Sequence, residues 1–312
     1  MQIQRLRAWL AGSMPCRCGR LVAGLLLVAA ALAVGRWLGQ AVRCRFGMPP
    51  RRPELRPADA EDVVLEGANG RTLRGWLFSS GRSRSPAVVV MHGWGASAGD
   101  MLPAARMLAD AGFHALVIDA RGHGRSDSDD FASMPRFAED VETAVAWLRR
   151  QPYVDPGRIA LLGHSVGAGA CLLVASRDPH IAAVVSISSM AHPGQFMHAA
   201  LVRQGVPRVL ASGALRYVER VIGHRYDDFA PVRTIRGIQV PVLLVHGDAD
   251  ATVPVSDARQ LQDAHPTGTR LVVVPDAGHD DLEALQSVAD QVVAFLQAVM
   301  GSPGVPGAAQ RP

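Results

Sequence analysis

Beyond residue 60 the chain repeats one pattern, a short run of aliphatic and β-branched residues followed by a longer stretch with helical spacing. The runs are VVLE (63–66), TLRGWLF (72–78), AVVVMH (87–92), HALVID (114–119), RIALLG (158–163), AAVVSIS (182–188), VPVLLVH (240–246) and TRLVVVP (269–275). Helical stretches fall near 100–111, 135–150, 166–177, 256–264 and 281–299. A strand that is apolar along its whole length has no face to give to water, so it needs cover on both sides. The alternating helices supply that cover. The expected fold is therefore α/β, a mostly parallel eight-stranded sheet with helices on both faces. The first two runs, separated by GANG, are expected to form an opening hairpin.

The regularity breaks between Met190 and Ile238, where nearly fifty residues stand in for one crossover helix. Val206, Val209, Leu210, Leu215, Tyr217, Val218, Val221 and Ile222 recur there at helical spacing, which predicts a small helical cap. Its seven arginines outnumber its three acids, and a solvated helix face explains them better than an anion site.

The basic pI hides an asymmetry. Residues 1–56 hold ten arginines and one acid, Glu54, while residues 57–312 hold 22 arginines and 27 acids. The folded part is thus acidic, and a nucleic-acid footprint on it is not supported. The arm contains LVAGLLLVAAALAVG (21–35), fifteen residues without a charge, with arginines on both sides. Fifteen is short of the ~20 residues that cross a bilayer. Arg36 can snorkel, however, and Trp37, Leu38, Ala41 and Val42 prolong the apolar stretch. We expect an uncleaved membrane anchor through residues 21–42, its orientation open, with export after signal-peptide cleavage near ALA (31–33) as the alternative. The expected organisation is a basic arm with anchor at 1–47, a Pro/Arg-rich linker at 48–60 and a folded domain at 61–300. Within that domain the cap occupies about 190–238, and a disordered tail follows at 301–312.

In open α/β sheets ligands bind beyond the carboxyl ends of the strands. The residues that follow the runs are HGWG, DARGHGRSD, GHSVG, HGDADATVP and DAGHDD. Ser165 sits between a strand run and a helix in G-x-S-x-G spacing, the setting of a nucleophile on a tight turn. Gly163 and Gly167 are expected where strand and helix backbones leave no room for a Cβ. A serine hydroxyl needs a positioned base, and His279 after the last run is our choice. Asp250 is the expected acid, with Asp248 as its competitor and Asp276 as structural. His92 and His246 are expected to organise loops, and His164 to point away from the nucleophile. Backbone N–H groups of Trp94 and Val166 are the expected oxyanion donors. Nothing calls for a cofactor or a metal. No G-x-G-x-x-G opens the first βα unit, and Cys16 and Cys18 have no second ligand cluster nearby. Cys171 is expected as a small buried hydrophobe.

Together VVVMHGWGASAGD, DARGHGRSD, GHSVGAGA, HGDADATVP and AGHDD resemble the α/β-hydrolase superfamily over about residues 61–299. The similarity is to its lysophospholipase, monoacylglycerol lipase and serine aminopeptidase group. That resemblance implies a serine esterase working through Ser165, His279 and Asp250 on a small-molecule or lipid ester. A serine peptidase or thioesterase with the same residues, a cofactor-free haloperoxidase and a non-catalytic binding module are the competing readings.

Overall fold

In the computed structural model, residues 56–281 and 287–301 are described, together with Val28, Ala29, Leu32 and Gly35. The expected anchor at 21–42 lies otherwise outside the described residues, as does the expected tail from residue 302 onward. Among the described residues no helix is long and apolar enough to cross a membrane. The chain divides into two units, Met1–Arg45 and Phe46–Pro312, and the second carries the fold below.

The strands are β1 (Glu61–Glu66), β2 (Thr72–Phe78), β3 (Ser85–Met91), β4 (His114–Ile118), β5 (Val154–His164), β6 (Val184–Ile187), β7 (Val242–Gly247) and β8 (Thr269–Val274). They form one sheet in the order β1-β2-β4-β3-β5-β6-β7-β8. β2 runs antiparallel to β1 and to β4, so the expected hairpin opens the sheet. Every other pairing is parallel.

Val88, Val90, Val117, Leu162, Val185 and Val245 point to one face of the sheet and pack with Met101, Leu108, Val292 and Leu296. The last four belong to or adjoin α1 (Leu102–Asp110) and α7 (Ala289–Met300). On the other face lie α2 (Met134–Arg149), α3 (Val166–Arg177) and α6 (Val255–Ala264). There Val89, Leu161, Val184 and Leu244 are buried as fully as their neighbours in sequence, which is why these runs show no alternation. Cys171 is buried in α3, and burial pushes its thiol pKa up, as expected for a structural cysteine.

The cap rises from the carboxyl end of β6 as an antiparallel pair, α4 (Pro193–Arg203) and α5 (Arg208–Ile222), followed by two single turns, Tyr226–Phe229 and Pro231–Thr234. The apolar stripe does not bury along its whole length. Leu215 and Val218 are buried, but Val209 and Leu210 are exposed in the first turn of α5.

The segment after β4 is fixed by charge. Asp119 accepts the N–H of Ala98 at 2.7 Å and that of Arg125 at 3.0 Å. Two residues on, the Arg121 guanidinium is buried against Asp140 of α2 (Nε to Oδ1, 2.7 Å) and against Asp129 (3.2 Å). Asp140 also accepts the Arg121 backbone N–H at 2.8 Å. Breaking such a pair strands a charge in the interior, whereas replacing both partners with apolar groups costs far less. Arg121→Met should therefore cost about 3–5 kcal/mol of stability, because buried Asp140 loses its cation while Asp129 keeps Arg136 at 3.1 Å. The double variant R121M/D140L should recover most of that loss, both read by urea denaturation.

Candidate active site

Ser165 lies between β5 and α3 with φ 53° and ψ −117°, in the half of backbone space that side chains rarely enter. Hydrogen bonds on both sides hold it there. Its N–H donates to the Ile187 carbonyl at 2.8 Å, and its carbonyl accepts from the Gly169 N–H at 3.2 Å. The two flanking glycines follow from contact. A Cβ on Gly163 would strike the backbone of Gly167 and Ala168, and one on Gly167 would strike the carbonyls of His92 and Met91. The turn lifts the hydroxyl off the sheet at the first turn of a helix, where N–H groups lack intrahelical partners.

The loop after β8 brings His279 to this hydroxyl, with Nε2 3.0 Å from Ser165 Oγ. The loop after β7 brings Asp250 to the other side of the ring, with Oδ2 2.7 Å from His279 Nδ1. The second carboxylate oxygen, Oδ1, accepts the N–H groups of Thr252 (2.9 Å) and Val253 (2.7 Å). Burial alone would raise the pKa of the Asp250 carboxyl. The donors on it, from His246, His279 and Val253, outweigh burial and hold it well below the usual carboxylate range. Asp250 is thus a fixed negative charge beside an imidazole that faces a serine. Ser165, His279 and Asp250, 114 and 29 residues apart along the chain, form one hydrogen-bonded line.

Asp248, the competitor for the acid, is turned elsewhere. Its Oδ1 accepts the Asp276 N–H at 2.7 Å, tying the loop after β7 to the loop after β8. Backbone bonds from Asp248 to Val274 (3.1 Å) and from Ala249 to Ala277 (3.2 Å) close the same seam. Asp276 itself takes a left-handed φ of 57° at that turn.

The HGWG loop lies against the serine. A Cβ on Gly93 would stand 3.2 Å from Ser165 Cβ, so the loop backbone and the hydroxyl are neighbours. The Trp94 ring packs edge-on to His123 (5.7 Å between centroids) and stacks with Phe137 (6.4 Å). His92 anchors the loop as expected. Its Nε2 accepts the Ala120 N–H at 3.0 Å, leaving Nδ1 to donate to the Gly93 carbonyl at 2.7 Å. The N–H of Ser165 is already spent on Ile187, and Val166 is the first residue of α3.

His164 reaches the loop after β8. It donates from Nε2 to the His279 carbonyl at 2.8 Å, and the two rings lie 5.1 Å apart. Burial lowers its pKa, so it acts as a neutral donor. The bond joins residues 115 apart, and no local sequence signal encodes it. Among the described residues, His164, His279 and Asp280 also come close enough to hold a metal ion. A metal there would have to displace bonds that the two rings already make.

Residues 82–227 match the family model described as serine aminopeptidase, S33, and residues 225–301 match one described as TAP-like protein. An uncharacterized protein of Mycobacterium tuberculosis is 32% identical over 302 residues, 92% of this chain and 98% of that one. The uncharacterized protein YfhR of Escherichia coli K12 is 30% identical over 232 residues, 72% of this chain and 75% of that one. Among solved structures, an esterase of Pyrococcus furiosus superposes with a TM-score of 0.63 at 22% identity, over 81% of this chain and 100% of that one. An acetyl xylan esterase from Paenibacillus sp. R4 gives 0.63 at 20% identity, over 79% and 86%. With a sheet of this order and a serine on this turn, the chain belongs to the α/β-hydrolase superfamily, and its residues 82–227 resemble the serine aminopeptidase, S33, family.

Proposed function

We propose that this α/β hydrolase is a serine esterase that cleaves carboxylic esters, small or lipid-like, through an acyl-enzyme on Ser165. The observation that carries the reading is the line Ser165–His279–Asp250, with spacings of 3.0 and 2.7 Å, at the carboxyl ends of three strands. Neutral His279 carries its proton on Nδ1, donated to Asp250, and its Nε2 accepts the Ser165 hydroxyl proton as Oγ attacks the ester carbonyl. The N–H groups of Val166 and Trp94 receive the oxyanion, and losing one such donor costs about 10²–10³ in rate. The proton on Nε2 then passes to the departing alkoxide. Water repeats the cycle on the acyl-enzyme, returning the carboxylic acid and free Ser165. The esterase neighbours support an ester as substrate. A peptidase or thioesterase reading uses the same atoms, and the serine aminopeptidase description keeps the first of these in play.

Turnover of p-nitrophenyl esters, monoacylglycerol, lysophospholipid, acyl thioesters and aminoacyl amides by the purified protein separates these readings. Ester hydrolysis should exceed amide hydrolysis, and the reverse ranking makes the enzyme a peptidase. Ser165→Ala should abolish turnover and labelling by a fluorophosphonate, with His279→Ala nearly as damaging, because the two act as a unit. Wild-type protein that resists the probe would be a binding module.

Asp250→Asn should lower kcat by about 10⁴, since the amide imposes the wrong imidazole tautomer. Its oxygen still accepts the Thr252 and Val253 N–H groups, so melting temperature should fall little. Asp248→Asn should leave kcat within a few-fold. The opposite ranking would move the acid to Asp248.

We further propose that residues 21–42 attach the enzyme to a membrane, on a side left open. Arginine contacts to anionic head groups are screened by salt, whereas burial of an apolar segment is not. Full-length protein should stay with membranes in high salt, and deleting residues 1–56 should release active enzyme. Release by salt alone, or a mature N-terminus near Val34, would overturn the anchor.

A further inference from the structure

His246, the last residue but one of β7, is buried to 1% exposure and belongs neither to the proposed proton relay nor to the oxyanion loop. Its Nε2 lies 2.8 Å from the Val253 carbonyl and 3.4 Å from Asp250 Oδ2. A carbonyl only accepts, so Nε2 carries a hydrogen that it donates to Val253, with Asp250 Oδ2 standing beside the same nitrogen. The Val253 peptide therefore faces the acid from two directions. Its residue's N–H donates to Asp250 Oδ1, and its carbonyl is held by the ring that also approaches Oδ2.

We propose that His246 is a positioning residue for the reaction, which sets the place and the charge of Asp250 from the side opposite His279. The proposal rests on the serine-hydrolase reading of Ser165, His279 and Asp250. In this arrangement one carboxylate oxygen serves two imidazoles. His279 makes the hydrogen bond at 2.7 Å, and His246 Nε2 stands 3.4 Å away on the other side. The long contact draws part of the negative charge away from His279, and the bond to Val253 keeps the turn 250–253 closed around the carboxylate.

The other charged group facing His246 is Asp257, in the first turn of α6, which accepts the Ala191 N–H at 2.8 Å. Its own burial raises its pKa, while the Ala191 N–H and His246 oppose that rise. His279 reaches His246 only through Asp250 Oδ2. Removing the His246 ring thus has two separable consequences. The acid loses a restraint, which slows the reaction. Its remaining charge also concentrates on His279, which favours the protonated and inactive base and moves the onset of activity to higher pH.

The test follows the rate at which Ser165 reacts with a fluorophosphonate across pH, in the full-length protein. In that reaction the Oγ–P bond forms, the P–F bond breaks, and the hydroxyl proton passes to His279 before leaving with fluoride. The rate reads activation of the serine without reference to which acyl group the enzyme prefers. In His246→Leu the rate should fall by about 10–10², the cost of a small misplacement of a reacting group. The midpoint of its acid limb should rise by about 0.5–1 pH unit, the scale on which one hydrogen bond to a carboxylate acts. His246→Gln can place an amide N–H where Nε2 stands and should restore most of the rate and the wild-type midpoint. His246→Asn is too short to do so and should behave like the leucine variant.

Equal rates and midpoints for the glutamine and asparagine variants would overturn the proposal, as would a leucine variant with the wild-type midpoint. Should the leucine variant fail to fold, the glutamine–asparagine comparison decides alone. Wild-type protein that never reacts would instead overturn the serine-hydrolase reading itself.

Discussion

The site depends on one turn. Ser165 is held at a left-handed φ of 53° because the backbone of β5 must reverse into α3 within a single residue. A strained residue of this kind costs of order 1–3 kcal/mol and persists only where its surroundings over-determine it. Here they do so through Ile187 on the neighbouring strand and Gly169 on the helix. The same closeness dictates glycine at 163 and 167, where the facing atoms are backbone and cannot move aside. Parallel strands on either side then deliver the remaining groups. The loops after β3, β7 and β8 all leave the sheet at the same end, so the HGWG loop, Asp250 and His279 converge without further design.

Convergence alone does not fix loops to the tolerance that proton transfer requires. Three buried histidines outside the proposed relay do this work, one for each loop. His92 donates to Gly93, His164 to His279 and His246 to Val253, each to a backbone carbonyl at 2.7–2.8 Å. A neutral imidazole suits the task because it offers a donor on a rigid ring without bringing a charge into the interior. An arginine or lysine in the same place would add a cation beside His279, and the positive form of that ring would then be harder to reach during reaction.

Much of this was legible in the sequence because the informative residues directly follow the strands. The strand runs, the order of Ser165, Asp250 and His279, and the two elbow glycines all follow from periodicity and from chemistry at strand ends. What was not legible is what depends on distance along the chain. The bond from His164 to His279 spans 115 residues, and no local pattern signals it. In the cap, spacing marked Val209 and Leu210 as part of a buried stripe, yet only the later turns of α5 find a partner. Helical periodicity says which residues share a face. It does not say how far along the helix that face is covered.

Asp248 and Asp250 show why chemistry had to be read together with geometry. Both lie in one short loop, both are acids, and both accept backbone N–H bonds. They differ in which element they fasten. Asp248 joins its loop to the turn before His279. Asp250 spends one oxygen on its own loop and presents the other to the His279 ring, with its side chain withdrawn from water. Without the first seam the second bond would have no fixed partner. Both carboxylates therefore bear on His279, one through the loop that carries it and the other through its ring.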